Sequence, residues 1–197
     1  MTTIASLEKL SSFLTADRLS FATVRLALSS LGSGLLSDEA FLKAFHEGSY
    51  RLFVDMDGVM TDWEKQYEKF SGKPYVSHDE TEWKHCNKLD FWKDMDWLPG
   101  GRELWEMFAP LHPLVLSSPG PFKAAREGKT IWNRENLGSG VKVILDQNKG
   151  RYADTRSILV DDMEKNIKDW EANGGIAIHY TGNPAKAAKD LYKAIVK

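Results

Sequence analysis

The chain of 197 residues contains a single cysteine, Cys86, and this scarcity excludes an intrachain disulfide and argues against a cysteine-based zinc cluster. No apolar run approaches the roughly 18 residues that a membrane helix needs, so we expect no membrane partner. The N-terminal segment lacks the basic-then-apolar layout of a secretory signal. Together these absences lead us to expect a cytoplasmic protein.

Neither sign of charge is in large excess. Lys and Arg number 26 against 28 Asp and Glu, which gives a net charge of −2. This balance argues against a general nucleic-acid-binding face, so we expect no nucleic-acid partner. A hydrophobic content of 42% and a charged content of 27% are ordinary for a globular domain. The length is sufficient for one domain with a good core.

Short apolar runs alternate with longer segments from residue 51 onward. The runs lack a polar alternation, as expected of strands that are covered on both faces. They lie at 52–54, 114–116, 141–145, 158–160 and 176–178, and helices are predicted between them at 101–108, 123–136 and 164–172. This alternation predicts an α/β fold with a parallel five-stranded sheet.

The N-terminal residues 1–48 have a different pattern, with apolar residues at helical spacing. We expect Ser37 to cap a helix that carries Phe41, Ala44 and Phe45. The pattern predicts an N-terminal helical extension. Its role is open between packing on the core and binding a partner, such as a second copy in a homodimer.

An aromatic-rich insert at 62–97 interrupts the alternation and divides the predicted core into 49–61 and 98–197. It carries eight aromatic rings in 36 residues, about twice the chain's average of 11%. The rings are Trp63, Tyr67, Phe70, Tyr75, Trp83, Phe91, Trp92 and Trp97. They either form a lid over a site that binds a flat, apolar group, or attach the insert to the core.

Two carboxylates, Asp55 and Asp57, directly follow the first predicted strand, and Gly58 comes next. Residues two apart in a strand point to the same side, so both carboxylates can face one spot. Two like charges at close range require a compensating cation or a shared proton. Mg²⁺ is the simplest candidate because it prefers carboxylate oxygens.

Polar residues also follow the other predicted strands. Ligands of parallel α/β sheets bind at the carboxyl ends of the strands, so these residues are expected to meet at one edge. They are Ser117 and Ser118 after the second strand, Asp146 and Lys149 after the third, and Asp161 and Asp162 after the fourth. The joint placement predicts one site, and the final aspartate pair can complete a metal shell.

Such a set of groups is suited to phosphoryl transfer. Asp55 can attack phosphorus as a nucleophile. Asp57 can protonate the leaving oxygen and then take a proton from water. Lys149 and Mg²⁺ can neutralise the phosphate, while the hydroxyls of Ser117 and Ser118 hold phosphoryl oxygens.

Other lysines compete with Lys149 for this role. Lys142 lies inside the predicted third strand, away from its carboxyl end, so Lys149 is preferred. We expect Lys123 and Lys129 to be solvated residues of the following helix, with contact to a phosphate as the alternative.

These stretches resemble, in sequential order, the four motifs of the haloacid dehalogenase superfamily. Within it the chain is most similar to the 5′(3′)-deoxyribonucleotidases. The similar stretches are 54–63, 91–100, 117–119, 149 and 159–162. The likeness covers residues 51 to 163 and does not include the first 48. It implies a three-layer Rossmann-like core with a small helical cap inserted after the first strand.

The resemblance also implies roles for single residues. Asp55 matches the nucleophile and a metal ligand, and Asp57 matches the acid/base, with its backbone carbonyl as a second ligand. Ser118 and Lys149 match phosphate-binding residues, and Ser117 stands where the family usually has threonine. The metal carboxylate is matched by Asp162 with Asp161 as its neighbour, and Trp63 falls where an aromatic ring lines the base pocket.

The expected function is therefore a Mg²⁺-dependent phosphomonoesterase for nucleoside monophosphates, with the deoxyribose form preferred. One alternative is a phosphatase for another small phosphoester. A second, from another class, is a non-catalytic binding or regulatory module that docks through residues 1–48. The second alternative predicts the loss of a catalytic carboxylate, yet Asp55, Asp57 and Asp162 are all present.

Overall fold

The computed structural model describes residues 38–77 and 80–195, and over these ranges it contains seven α-helices and a five-stranded, all-parallel sheet. The predicted α/β fold is therefore confirmed, and the arrangement is consistent with a Rossmann-like core. The helices predicted before residue 37 and the cap at Ser37 lie outside the described residues. Within the same ranges, none of the helices combines the length and apolar character needed to cross a membrane.

The helices and strands follow one another in a largely alternating order. They are α1 (Asp38–Glu47), β1 (Arg51–Val54), α2 (Trp63–Ser71), α3 (Leu89–Lys93), α4 (Gly101–Phe108), β2 (Leu114–Ser117), α5 (Lys123–Leu137), β3 (Val143–Leu145), β4 (Ser157–Asp161), α6 (Glu164–Ala172), β5 (Ile176–His179) and α7 (Pro184–Ile195). Short 3₁₀ turns lie at Trp83–Cys86, Ala109–Leu111 and Lys149–Tyr152. The third strand begins two residues later than predicted because the Val141 N–H turns back to the Gly138 carbonyl.

The sheet has the strand order β3-β2-β1-β4-β5, which places β1 at its centre. Val54, the last residue of β1, pairs with Val115 of β2 and with Val160 of β4. All strands run the same way, so the carboxyl ends of these three strands lie side by side. This register brings the residues that follow them to one edge.

Both faces of the sheet are buried, which accounts for the missing polar alternation. Leu52 and Val54 of β1 pack into the larger hydrophobic cluster on one face. Phe53 points to the other face and packs with Leu159 and with Trp170 of α6. The sheet is therefore the middle of three layers.

The aromatic insert leaves and re-enters the core at one point. The Asp62 N–H donates to the Asp96 carbonyl at 2.9 Å, and the Leu98 N–H donates to the Met60 carbonyl at 2.8 Å. The Asp62 side chain caps α2 by accepting from the Lys65 N–H. These bonds fix the two ends of the insert beside the turn that follows β1.

Candidate active site

A tight turn after β1 places the first carboxylates. The Asp55 N–H extends the ladder to β4 by donating to the Val160 carbonyl, and the Met56 carbonyl accepts from the N–H groups of Met60 and Thr61. Gly58 has a φ of 76°, in the left-handed region where glycine is favoured. A Cβ atom here would overlap the Asp162 carboxylate. Glycine thus lets the turn lie directly against the end of β4.

Three of the predicted aspartates form a carboxylate cluster at this edge. Asp55, Asp161 and Asp162 each contribute an oxygen, and these oxygens all lie within 4.8 Å of one another. Asp55 and Asp161 are buried, and Asp162 is half-buried. They come from the neighbouring strands β1 and β4, as the strand-end rule predicts.

Lys149 joins two members of this cluster. Its Nζ lies 2.7 Å from Asp55 Oδ2 and 2.6 Å from Asp161 Oδ2, and the side chain is buried. Burial alone would lower the pKa of Lys149, but the two carboxylates outweigh burial and raise it, so the ammonium stays charged. The competing Lys142 is exposed.

Asp146, at the end of β3, holds the turn that carries Lys149. Its carboxylate accepts from the Asn148 N–H at 2.9 Å and from the Tyr152 hydroxyl at 2.9 Å. Arg151 adds an ion pair at 3.2 Å. Asp146 therefore contacts the chain on both sides of the lysine, through the backbone of Asn148 before it and the side chains of Arg151 and Tyr152 after it.

The two carboxylates of the last aspartate pair differ in their hydrogen bonding. Asp161 accepts from Lys149, from the Asn166 amide and from the Met163 N–H. Asp162 has a buried Oδ1 with no hydrogen-bond partner. Burial first, and then Asp55 and Asp161, raise the pKa of Asp162 to about 7. An unpartnered carboxylate oxygen beside two further carboxylates fits a divalent cation with oxygen ligands.

The Asp57 side chain lies outside the carboxylate cluster. Its Oδ1 accepts from the Thr61 hydroxyl at 3.1 Å, and its Oδ2 lies 2.5 Å from Lys129 Nζ. Ser117, at the end of β2, is buried and its Oγ also contacts Lys129 Nζ, at 3.1 Å. Ser118 is half-buried, and the role of its hydroxyl stays a prediction.

Lys129 is buried, and this finding corrects the prediction that it is solvated. Only 1% of its surface is exposed, whereas Lys123 on the same helix is exposed as expected. Helical spacing indicates the burial of Lys129, because it shares one face of α5 with the other buried residues of that helix. The buried residues are Ala125, Gly128, Lys129, Trp132 and Asn133, at spacings of three and four. A lysine on such a stripe needs buried acceptors, and Asp57 and the end of β2 supply them.

The aromatic rings of the insert pack mainly on one another. Trp63 stacks on Tyr67 with ring centroids 5.5 Å apart. It also contacts Tyr75, Trp83 and Phe91. This aromatic cluster is the interior of the insert. Trp63 itself is half-buried, and its contact with a base stays a prediction.

Cys86 also belongs to the insert and lies near Asp57. Burial, with a smaller contribution from the Asp57 charge, raises the pKa of its thiol to about 12. The thiol is therefore protonated at neutral pH, and this state is unsuited to a nucleophile or a metal ligand.

No protein-family model matches this chain, and no curated protein matches it either. Fold and site together define an α/β protein with buried carboxylates and two buried lysines, Lys129 and Lys149, at the carboxyl edge of its parallel sheet.

Proposed function

We propose that the chain is a Mg²⁺-dependent phosphomonoesterase of the haloacid dehalogenase type that hydrolyses nucleoside monophosphates, with deoxyribonucleotides preferred. The observation that carries the proposal is the contact of Lys149 with Asp55 and Asp161, beside an unpartnered oxygen of Asp162. Attack on a phosphate dianion requires a nucleophile and compensating positive charge, which Lys149 and a cation bound at Asp162 would supply.

The carboxylate cluster is also the proposed metal site. Asp55 and Asp162 would hold Mg²⁺ with the Asp57 backbone carbonyl, and Asp161 completes the surrounding shell through its contacts with Lys149 and Asn166. Bound Mg²⁺ supplies neutralisation of the phosphoryl charge. Asp162 is the ligand best supported by its surroundings, since its free oxygen is otherwise a buried polar atom without a partner.

In the first half of the reaction, Asp55 acts as the nucleophile. One carboxylate oxygen bonds to phosphorus while the bond from phosphorus to the nucleoside oxygen breaks. Asp57 donates its proton to that leaving oxygen, so the nucleoside departs as an alcohol. Lys149 holds the attacking carboxylate in place through its 2.7 Å contact.

The second half releases phosphate and restores both aspartates. Asp57, now a carboxylate, takes a proton from water as the water oxygen bonds to phosphorus. The bond from phosphorus to Asp55 breaks, and inorganic phosphate leaves. Because Asp57 is 27% exposed while Asp55 is 7% exposed, the acid/base has the wider access to water.

Ser117 is suited to hold a phosphoryl oxygen. Its Oγ contacts the Lys129 ammonium, which is a donor and cannot accept a hydrogen bond. The Ser117 proton is therefore directed elsewhere and is available to a phosphoryl oxygen. Ser118 is proposed as the second such donor because it follows at the same strand end.

The aromatic cluster supports a nucleoside as the leaving group. Trp63 begins α2 five residues after Gly58, and its half-buried ring lies among four other rings that fix its orientation. A rigid, partly accessible indole is a good surface for stacking a flat base. The base-binding role of Trp63 rests on this placement.

The test is phosphate release from a panel of ribo- and deoxyribonucleoside monophosphates and small sugar phosphates. We expect Mg²⁺-dependent hydrolysis by the wild type and its loss in EDTA. Asp55→Asn should lower kcat by at least about 10³-fold, since it removes the nucleophile. After an acid quench, mass analysis should find phosphate on the peptide that contains Asp55.

Asp94→Asn is the matched control, since Asp94 is an exposed aspartate of the insert. It should retain wild-type rates. The proposal fails if the wild type hydrolyses nothing in the panel, or if Asp55→Asn and Asp94→Asn behave alike.

A further inference from the structure

Lys129 is a second buried lysine, and its three protons meet three acceptors. Its Nζ lies 2.5 Å from Asp57 Oδ2, 3.1 Å from Ser117 Oγ and 2.8 Å from the Ser118 carbonyl oxygen. An ammonium has three donors and no acceptor, so these contacts use its full capacity. Lys129 thus ties the turn after β1 to the end of β2.

Lys129 and Lys149 each contact a different one of the two proposed catalytic aspartates. Lys149 contacts Asp55 and Asp161, whereas Lys129 contacts Asp57. The exposed fractions of the two lysine side chains are 3% and 1%. Each proposed chemical role, nucleophile or acid/base, therefore has its own fixed cation.

Asp57 is held on both oxygens. Thr61, which is fully buried, donates to Oδ1, and Lys129 donates to Oδ2. A carboxyl group bound in this way cannot rotate freely about its terminal torsion, and each oxygen keeps a second lone pair that can carry the acid's proton. The lysine contact is the shorter of the two and joins two opposite charges, so it dominates the orientation.

The indole ring of Trp92 in α3 packs over the Lys129 ammonium. The ammonium lies 5.0 Å from the centroid of its ring, within range of a cation–π interaction. The indole N–H of Trp92 is held by the Cys86 carbonyl at 2.7 Å. Lys129 is thereby shielded from water on the side of the insert, which strengthens its contact with Asp57.

We infer that Lys129 is the positioning residue for the acid/base Asp57, an inference that rests on the proposed function. It orients the carboxyl group toward the leaving oxygen and stabilises the carboxylate that remains after Asp57 has given up its proton. The proton moves from Asp57 to the leaving oxygen as the phosphorus–oxygen bond breaks. Lys129 stays an ammonium throughout and transfers no proton.

The leaving group provides a test that a purely structural role would not pass. A nucleoside alkoxide needs a proton to depart, whereas p-nitrophenolate and acetate leave as stable anions. We therefore compare kcat/KM of wild type and Lys129→Met on a deoxyribonucleoside monophosphate with kcat/KM on p-nitrophenyl phosphate or acetyl phosphate, whichever the wild type uses faster. The ratio kcat/KM covers only the steps through departure of the leaving group, so hydrolysis of the aspartyl-phosphate does not enter.

We expect Lys129→Met to lower kcat/KM for the nucleotide by about 10²-fold, the scale of a misplaced catalytic group, and to leave the activated phosphate nearly unchanged. The unchanged rate would also show that the variant folds. Lys129→Arg should recover part of the nucleotide rate because it keeps the positive charge. Lys123→Met, on the exposed face of the same helix, should match the wild type for both substrates.

Equal losses on both substrates would mean that Lys129 binds the phosphoryl group or only supports the fold, and would overturn the inference while leaving the proposed function intact. No loss on either substrate would overturn it as well. A wild type that hydrolyses neither substrate would overturn the proposed function, and this inference with it.

Discussion

Among single residues, Gly58 sets how closely the turn after β1 approaches Asp162. Two separate constraints act on it: a φ of 76°, and the Asp162 carboxylate in the space that a Cβ atom would occupy. Gly72, at the end of α2, has a similar φ of 70° but nothing within 4 Å of its Cβ position. Substitutions at the two glycines can therefore be compared to distinguish the effect of backbone strain from the effect of displacing the Asp162 carboxylate.

We predict that Gly72→Ala loses about 1–2 kcal/mol of unfolding free energy, the cost of a left-handed conformation for an L-residue, and that Gly58→Ala loses at least as much. Only Gly58→Ala should also weaken the proposed Mg²⁺ binding and lower the proposed phosphatase activity, because its methyl group pushes Asp162 away. Urea unfolding and Mg²⁺ titration by calorimetry measure the two effects. Equal Mg²⁺ affinities in the two variants would show that Asp162 is not a ligand.

The elements differ in how far their sequences predict them. All five strands were predicted within two residues of their observed bounds, because strands buried on both faces are continuous apolar runs. The helices 101–108 and 164–172 were predicted with their observed bounds. The carboxylates of Asp55, Asp161 and Asp162 and the ammonium of Lys149 meet where the strand-end rule expects them.

Lys129 was missed because its surroundings are not local. Its partner Asp57 is 72 positions away in the chain, and the ring that covers it, Trp92, belongs to the insert. A lysine in a helix is ordinarily exposed, so only the burial stripe of α5 could have indicated otherwise. The position of a residue at a strand end can be inferred from the sequence of that strand alone. Whether a helix residue is buried depends on which other parts of the chain pack against that face of the helix.

The packing of α3 on α5 depends on Gly128. A Cβ atom here would overlap the Trp92 side chain and crowd the Lys93 N–H and the Leu89 carbonyl. In an uncrowded helix interior, Gly→Ala is stabilising by about 1 kcal/mol because alanine has the higher helix propensity. At position 128 we expect the opposite effect, a loss of stability, because the added methyl group has no space.

We predict that Gly128→Ala lowers the free energy of unfolding by about 1–3 kcal/mol, the usual cost of overpacking. Glu127→Ala, at the neighbouring exposed position of the same helix, should change it by less than about 0.5 kcal/mol. Urea unfolding followed by tryptophan fluorescence measures both. A stabilised Gly128→Ala would mean that the insert is not held against α5 in this way.

At the scale of the whole molecule, the carboxyl edge of the sheet gathers more negative than positive charge around one point. Asp55, Asp161 and Asp162 share the single ammonium of Lys149. Burial first, and then the charges of Asp55 and Asp161, raise the pKa of Asp162 to about 7, against 3.8 for an ordinary aspartate. The folded protein without a cation therefore binds a proton more tightly at Asp162 than the unfolded chain does.

The sign of the resulting pH dependence follows from this difference. A raised folded-state pKa contributes stability that is present at low pH and is lost as pH rises through the folded value. In EDTA, the free energy of unfolding should fall between about pH 5 and about pH 8, and Asp162 contributes a slope of at most about 1.4 kcal/mol per pH unit. Burial also raises the pKa of Asp161, so that carboxyl acts in the same direction. The carboxyls with lowered pKa, such as Glu82 with a value of about 2, are ionised in the folded protein throughout this window and largely ionised in the unfolded chain, so they add little.

Saturating Mg²⁺ should remove the fall, because the cation replaces the proton at the cluster and stabilises the folded state by about 2.7 kcal/mol at 100 times its Kd. Asp162→Asn should show a smaller slope in EDTA and a smaller gain with Mg²⁺, because it lacks the carboxylate that titrates and binds. Asp94→Asn, which changes an exposed aspartate of the insert, should follow the wild type. Urea unfolding across this pH range, with Mg²⁺ or with EDTA, measures these effects. If Asp162→Asn keeps the wild-type slope, the group that titrates is not Asp162.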